Sequence, residues 1–339
     1  MAPAAPDVSV VIPCHPAAPD VSVVIPCHAA ARTIATLLEA LRGQTLGSEC
    51  YEIIVVDPAA DGTQRVLGDI GAGWPGAPEL RVVRGPLRDG PAAKRNHGAS
   101  LARGRVLAFT DSDCAPEPSW LAEGLAALER GAEMVQGAVI PPTDAEHHPL
   151  SHTIHVMSDV GLHETSNMFY ERALFERLGG FTLRYFRRFG APFGEDAELG
   201  WRARRSGARY VFEPAAVVRH PVGAPSLRGH LREQWLARAF PQLVRDVPEL
   251  REALMFRRWF LTRRSAAAVA ALLGAAGVKR TPLAGLLALP YARLLAWELR
   301  QAKAGPAALA GLLAYNAVSD VSLLAALAWG SVRARRLVL

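Results

Sequence analysis

Residues 92–114 read AAKRNHGASLARGRVLAFTDSDC. A helix-length pattern over 92–102 runs into an apolar strand over 106–110, which ends in Asp111-Ser112-Asp113. Two acids at i and i+2 share a strand face, but at a turn one can meet a ribose and the other a cation. Asp also favours turns through its own hydrogen bonding, so the pair gains its meaning from position. It closes the fourth strand of an alternating series. Strands are expected at residues 21–25, 52–56, 80–84 and 106–110, followed by helices at 33–41, 63–70, 92–102 and 120–128. Such alternation predicts an α/β fold with a single, mostly parallel sheet and helices on both faces. The strands end in Pro26-Cys27-His28, Asp57-Pro58, Gly85-Pro86 and Asp111-Ser112-Asp113, and these ends should line one cleft. After residue 130 the pattern loosens. A strand is expected over 133–140, a polar loop over 141–152 and a helix over 171–178 closed by Gly179-Gly180. A further helix starts at Gly194-Glu195-Asp196, and strands follow over 208–212 and 216–219.

Composition removes several classes. The 339 residues are 50% hydrophobic and 21% charged, which excludes a disordered chain or a fibre. Four cysteines without Cys-x-x-Cys speak against a disulfide framework or a structural zinc site, and reduced thiols are expected. After the first strand stands Pro-Cys-His, where a dinucleotide fold needs G-x-G-x-x-G, and no Gly-Lys-Ser/Thr phosphate loop occurs. The net charge of +6 is uneven: residues 257–339 hold twelve Lys/Arg and two acids, +10, leaving −4 for the first 256. The basic residues border Leu/Ala stretches and do not interleave with stacking aromatics. A membrane surface is therefore the expected partner, and nucleic acid is not.

The opening MAPAAPD has neither a basic region nor a long apolar run, so no secretory signal is read there. Residues 3–15, PAAPDVSVVIPCH, recur unchanged at 16–28. Only one copy can be the first strand, and the second runs directly into the amphipathic pattern of 30–43. Residues 1–17 are thus expected to be a disordered extension, 18–245 a catalytic domain, and 246–339 a basic, apolar, helical, membrane-associated region.

Other candidates flank the acidic pair. Arg95, at the start of a helix, can serve phosphate oxygens. Asp57 ends the second strand, and Asp61-Gly62-Thr63 reads as a turn; a carboxylate here either caps a helix or accepts from a nucleobase N–H. Glu195 and Asp196 either favour a helix macrodipole or supply a general base. His220 is a loop histidine or a neutral ligand to a divalent metal. Five histidines, at 147, 148, 152, 155 and 163, share a polar segment without a zinc-completing set, which reads as a loop lining an acceptor site.

Together these residues resemble the family 2 glycosyltransferases, which have the nucleotide-diphospho-sugar (type A) fold. The resemblance runs over about residues 18–225, through VSVVIPCH at 21–28, IIVVDPAADGT at 53–63 and the stretch at 92–114. It continues with SNMFYERALFERLGGF at 166–181, GEDAELGWRARRSG at 194–207 and RHP at 219–221. It implies an inverting transfer from a UDP- or GDP-linked sugar to a glycan or lipid-linked hydroxyl. By position, Pro26 and Asp57 would lie against the nucleobase, Arg95 near the donor, and Asp111 with Ser112 on the ribose side. Asp113 would hold Mg²⁺ or Mn²⁺ under the diphosphate, with His220 as a further ligand. Asp196 would be the catalytic base with Glu195 beside it, and Asn167, Trp201 and Arg202 would face the acceptor. Three departures stand out: Asp57 precedes Pro58-Ala59-Ala60 where the family often has a second Asp and Gly-Ser, Lys94 fills a place usually small, and Glu198 replaces a common Asp. A sugar-nucleotide nucleotidyltransferase is the alternative enzyme, disfavoured because no Gly-rich basic loop follows the first strand. A degenerate nucleotide- or glycan-binding scaffold is the other alternative, opposed by the intact acids.

The tail holds three apolar stretches, 265–278, 283–297 with Arg293 inside, and 306–332 with only Asp320 charged. A spanning helix needs about 20 apolar residues, so only the last qualifies, and an acid near mid-span is costly. Transmembrane or re-entrant helices, a helical bundle lying on the membrane, and an ordinary helical domain or dimer interface all remain open. The basic flanks at 257–258, 263–264 and 333–336 suit the cytoplasmic face of the plasma membrane.

Overall fold

The computed structural model describes residues 18–58, 61–74, 76–86, 88–145, 153–223, 226–301 and 305–339. The first repeat copy and His147, His148 and His152 lie outside the described residues. Strand β1 (Val21–Pro26) comes from the second copy, as expected. It alternates with α1 (Ile34–Arg42), β2 (Tyr51–Asp57), α2 (Thr63–Ala72), β3 (Glu79–Arg84), α3 (Gly90–Ser100) and β4 (Val106–Phe109). These four strands are parallel in the order β3-β2-β1-β4.

Every residue of β1 and β2 is buried, because both sheet faces are covered. The strand period of two divides their side chains between two cores. Val21, Val23 and Ile25 meet Ile34 and Leu37 of α1, Leu67 of α2, and Trp120 and Leu125 of α4 (Trp120–Glu129). Val24, Ile54 and Val56 meet α3, together with α5 (Arg172–Leu178) and α7 (Glu195–Arg205).

The sheet continues as β4-β7-β6-β8-β5, with β5 (Ala115–Pro116), β6 (Met134–Ile140), β7 (Met168–Glu171) and β8 (Tyr210–Arg219). Four of its seven pairings are parallel. β7 runs antiparallel to both β4 and β6 and was not legible as a strand. Its apolar run, Met168-Phe169-Tyr170, is too short for a period and leads straight into α5. The two strands expected over 208–219 form the single strand β8. A register shift opposite Gly137/Ala138 lets Glu213 and Val217 pair with neighbouring residues of β6, which is why the sequence looked interrupted.

A third core joins α6 (Arg184–Phe189), α9 (Phe240–Asp246) and α13 (Pro306–Ala334). Tyr185, Phe240, Leu243, Val247, Leu327 and Val338 meet there, so the tail and the sheet domain share buried apolar surface. The remaining helices are α8 (Leu227–Leu236), α10 (Leu250–Ala253), α11 (Arg263–Gly277) and α12 (Leu289–Gln301). α11 opens on a capping box between Thr262 and Ser265. Asp320, the lone acid of α13, accepts both Nε (2.6 Å) and Nη2 (2.7 Å) of Arg264 and the Tyr291 hydroxyl (2.5 Å). Arg264 also bonds Glu298, which accepts from Asn316 at 3.0 Å. This network offsets the cost of a carboxylate among apolar helices. Cys27 and Cys114 are buried free thiols, in keeping with the expectation of reduced cysteines.

Candidate active site

A cleft of about 490 Å³ opens beyond the carboxyl ends of β1 and β4, where the strand order reverses and α/β sheets bind ligands. Pro26 and His28 follow β1, Pro91 and Arg95 come from α3, and Asp111, Ser112 and Asp113 follow β4. The far wall is built from Ile154, Glu164, Thr165, Ser166, Pro192, Phe193, Gly194, Glu195, Asp196 and His220.

Arg95 reaches the cleft because α3 lies tight on the sheet. A Cβ at Gly98 would come within 2.5 Å of Val24 and 3.0 Å of Val56, so only glycine permits this approach. The guanidinium is buried, donates from Nη2 to Asp111 Oδ1 at 2.6 Å, and lies 5.8 Å from the Phe181 ring centre. Burial works against its charge, yet Asp111, Asp196 and Glu195 outweigh that and raise its pKa. Lys94 beside it is buried too, donating to the Cys27 carbonyl at 2.7 Å, which explains a long residue where a small one is usual.

α7 starts at Gly194, whose φ of +74° turns the chain in a way side-chain-bearing residues resist. Glu195 is buried and its Oε2 accepts the Phe193 N–H at 2.8 Å. Burial, then the neighbouring Asp196, push its pKa up to about 7, with Arg95 opposing. Asp196 Oδ2 accepts both the N–H and the hydroxyl of Thr165, each at 3.1 Å. Among the described residues Oδ1 has no hydrogen-bond partner. Burial raises the Asp196 pKa, against the pull of Arg95. Burial thus makes both carboxylates more basic than usual, the direction a general base requires.

On the other wall, Asp113 Oδ1 stands 4.0 Å from His220 Nε2. His220 Nδ1 lies 2.9 Å from the Pro221 carbonyl, which can only accept, so Nδ1 carries a proton and Nε2 is the nitrogen the neutral ring offers a metal. Asp111, Cys114 and His220 also offer atoms within 4.8 Å of one another. Burial, reinforced by Asp111 and Asp113, holds the Cys114 thiol protonated, so it is no ligand for a hard cation. Carboxylates and one neutral imidazole remain, a donor set that fits Mg²⁺ or Mn²⁺.

Eight residues singled out from sequence thus meet in one cleft: Pro26, Arg95, Asp111, Ser112, Asp113, Glu195, Asp196 and His220. Four do not. Asp57 is buried at the end of β2, outside the cleft lining. Asn167 is wholly buried; its amide donates to the Ala138 and Ala216 carbonyls and its oxygen accepts from Trp120 Nε1, so it ties β6, β8 and α4 together and does not face an acceptor. Trp201 donates to the Gly161 carbonyl at 2.9 Å, and Arg202 bonds the Leu178 and Gly180 carbonyls and Glu198. Both point from α7 away from the cleft because they lie five and six residues past Asp196. Glu164 and Thr165 were missed. Their signal was a polar pair just before the buried run of β7.

His163, from the histidine-rich segment, is fully buried against Tyr210 and Trp201, and among the described residues neither ring nitrogen has a hydrogen-bond partner. Desolvation lowers its pKa to about 4. The folded state thus refuses a proton that the unfolded chain accepts near pH 6.5, and stability is lost as pH falls from 6.5 toward 4, by about 2 kcal/mol at pH 5. His163→Leu should lose about 2 kcal/mol less than the wild type between pH 7 and pH 5 in denaturant unfolding. Equal acid losses would remove His163 as the cause.

Sequence profiles of Glycosyl transferase family 2 match residues 22–191, half of the chain. The glycosyltransferase AglE of Haloferax volcanii is 29% identical over 141 residues, which is 41% of this chain and 41% of AglE. The chain thus matches less than half the length of that curated relative. The mannosyltransferase PcManGT of Pyrobaculum calidifontis, solved with GDP-Man and Mn²⁺, superposes with a TM-score of 0.60 at 20% identity, over 93% of this chain and 90% of that one. GalNAc-T7, solved with UDP, GalNAc and Mn²⁺, gives 0.51 at 17% identity over 70% and 55%. These structural likenesses concern the fold; the profile match covers the cleft residues from Pro26 to Ser166 and stops before Glu195, Asp196 and His220, and by it the chain belongs to glycosyl transferase family 2.

Proposed function

We propose that this chain is an inverting glycosyltransferase that moves a sugar from a UDP- or GDP-linked donor to the hydroxyl of a glycan or lipid-linked acceptor. The observation that carries the reading is Asp196: one carboxylate oxygen is fixed by Thr165, and the other, unpartnered among the described residues, stands in a cleft that also holds Asp111, Asp113 and His220. Asp196 Oδ1 takes the acceptor hydroxyl's proton as that oxygen attacks C1. The C1–O bond to the diphosphate breaks on the opposite face, and its electron pair leaves with the nucleoside diphosphate. A single displacement of this kind inverts C1. Arg95, bonded to Asp111 Oδ1, orients that carboxylate for the ribose, while Pro26 packs at the cleft's base-binding end. Asp113 and His220 would hold a divalent cation, which when bound offsets the charge of the departing diphosphate. Imidazole among the ligands favours Mn²⁺ over Mg²⁺.

The tail supports a membrane location. Within α13, Leu309–Ala334 is long and apolar enough to cross a bilayer by length and composition. Yet α13 lies along the catalytic domain: Ser319 meets His230 of α8 at 2.9 Å, Leu327 joins the third core, and Gly330 abuts the Arg238 backbone. A helix engaged at these points is better read as lying on a membrane than crossing it, with the basic flanks toward anionic cytoplasmic lipid.

Calorimetry with UDP and GDP tests the donor reading. One nucleotide should bind in the presence of Mn²⁺ and lose at least about tenfold in affinity with EDTA or in Asp113→Asn, since even a residue that merely supports a metal ligand is worth that much. Absence of binding to either nucleotide by folded protein would point to the degenerate scaffold.

A further inference from the structure

Among the described residues, a small pocket of about 100 Å³ lies between α6, the turn before α9, and α13, and shares no lining residue with the cleft. Three arginines line it, Arg188, Arg238 and Arg333, with Trp329 and Gln242. None of the three forms an ion pair among the described residues. Arg238 donates to two backbone carbonyls, Trp235 at 2.8 Å and Phe189 at 3.1 Å, while Arg188 and Arg333 lie over the rings of Phe189 and Trp329. The acid next to Gln242, Asp246, is already taken up by Gln242, Tyr185 and Arg184.

Neighbouring arginines are treated differently. Arg184, Arg187 and Arg205 each have a carboxylate, in Asp246, Asp89 and Glu249. Three guanidinium groups facing one pocket without an acid repel one another unless an anion joins them. The space equals about three waters at ~30 Å³ each, the bulk of one phosphate group and far short of a nucleotide. Guanidinium forks match phosphate oxygens in geometry as well as charge.

The surroundings identify the source. Trp329 is 51% and Val332 79% exposed, and both belong to the apolar helix read above as lying on a bilayer. An aromatic and an aliphatic side chain beside an arginine pocket, at the basic end of such a helix, is the arrangement expected at headgroup depth. We propose that Arg188, Arg238 and Arg333 bind the phosphate of a membrane lipid headgroup, an inference that rests on the surface-lying reading of the tail. The site would also orient the enzyme. Arg188 stands five residues before Phe193 of the cleft wall, within about 18 Å of extended chain, so a headgroup held there fixes the cleft's height over the bilayer.

Co-sedimentation of the full chain with vesicles tests this. Wild type should partition onto phosphatidylcholine vesicles containing phosphatidylglycerol more strongly than onto pure phosphatidylcholine. Arg188→Gln and Arg333→Gln, neither of which has a hydrogen bond to lose among the described residues, should each weaken the anionic binding about fivefold, and the pair about thirtyfold. A control pair, Lys279→Gln with Arg280→Gln, removes the same charge at the far end of α11 and should cost clearly less. Circular dichroism and nucleotide binding confirm that each variant is folded. Equal losses in the control pair would reduce the effect to general surface charge and overturn the site while leaving the membrane reading intact. Inorganic phosphate binding at the arginines with no preference for anionic vesicles would overturn it as a soluble-anion site. Failure of wild type to bind any vesicle would overturn the surface-lying reading and the proposal with it.

Discussion

Asp196→Asn should lower turnover by about 10²–10⁴ while UDP or GDP binding stays within a factor of about two, because general-base removal acts on the reacting hydroxyl and not on the nucleotide. The substitution is close to isosteric. The Asn oxygen can still accept from the Thr165 N–H and hydroxyl at the positions Oδ2 holds now. What is lost is the second oxygen as a proton acceptor, since an amide NH₂ in its place donates. Glu195→Gln is the internal comparison. Its carboxyl is buried, accepts the Phe193 N–H and has its pKa raised by burial and then by Asp196, so it shapes the α7 start and shares a proton equilibrium with Asp196. Its loss should therefore move the acid limb of the pH–rate profile to lower pH and reduce the plateau by much less. The wild-type acid limb belongs to the coupled pair, with the proton leaving between the ordinary carboxylate range and about pH 7. A single-turnover assay separates the cases. If Asp196→Asn abolished nucleotide binding in a folded protein, Asp196 would be a donor-side residue and the base would have to be sought elsewhere, with Glu164 next in line.

The same geometry explains how much of the site could be read in advance. Residues at strand ends and helix starts were legible, because a strand that stops at Asp111 or a helix that opens at Glu195 fixes where those side chains go. The error lay with residues inside elements. Asn167, Trp201 and Arg202 stand in stretches that resemble the family, but whether a residue faces the cleft or the interior depends on helix phase and sheet register. β7 had no period to reveal either. Buried as the antiparallel strand between β4 and β6, it turns Asn167 inward to tie three elements. Thr165, three residues before that strand's start, became visible only once its hydrogen bonds to Asp196 were seen. The tail shows the opposite case. Its three apolar stretches were legible as helices, whereas Asp320 looked costly until Arg264, 56 residues away, was found paired with it.

Arg95→Met should destabilise the protein by about 3–5 kcal/mol near neutral pH, the cost of leaving buried charge without its partner. Arg95 is the buried cation set against Asp111, Asp196 and Glu195, and each of the three favours its charged form. Without it, the folded-state pKa values of Glu195 and Asp196, already raised by burial and held down by Arg95, rise further above their unfolded values. A raised carboxylate binds more protons folded than unfolded, so its contribution to stability falls as pH climbs from the unfolded pKa near 4 through the folded one. The deficit of the variant should thus be largest at pH 7–8 and shrink as pH is lowered toward 5, opposite in sign to the His163 effect. Denaturant unfolding of both proteins across that range reads the difference directly. Catalysis should register it too, since an Asp196 that holds its proton more firmly is available as a base only at higher pH, and the acid limb of any residual activity should move up. Arg95→Lys restores a charge without the fork that meets Asp111, and should recover part of the stability. A pH-independent deficit would assign Arg95 to packing against Phe181 and remove the electrostatic link between the two walls of the cleft.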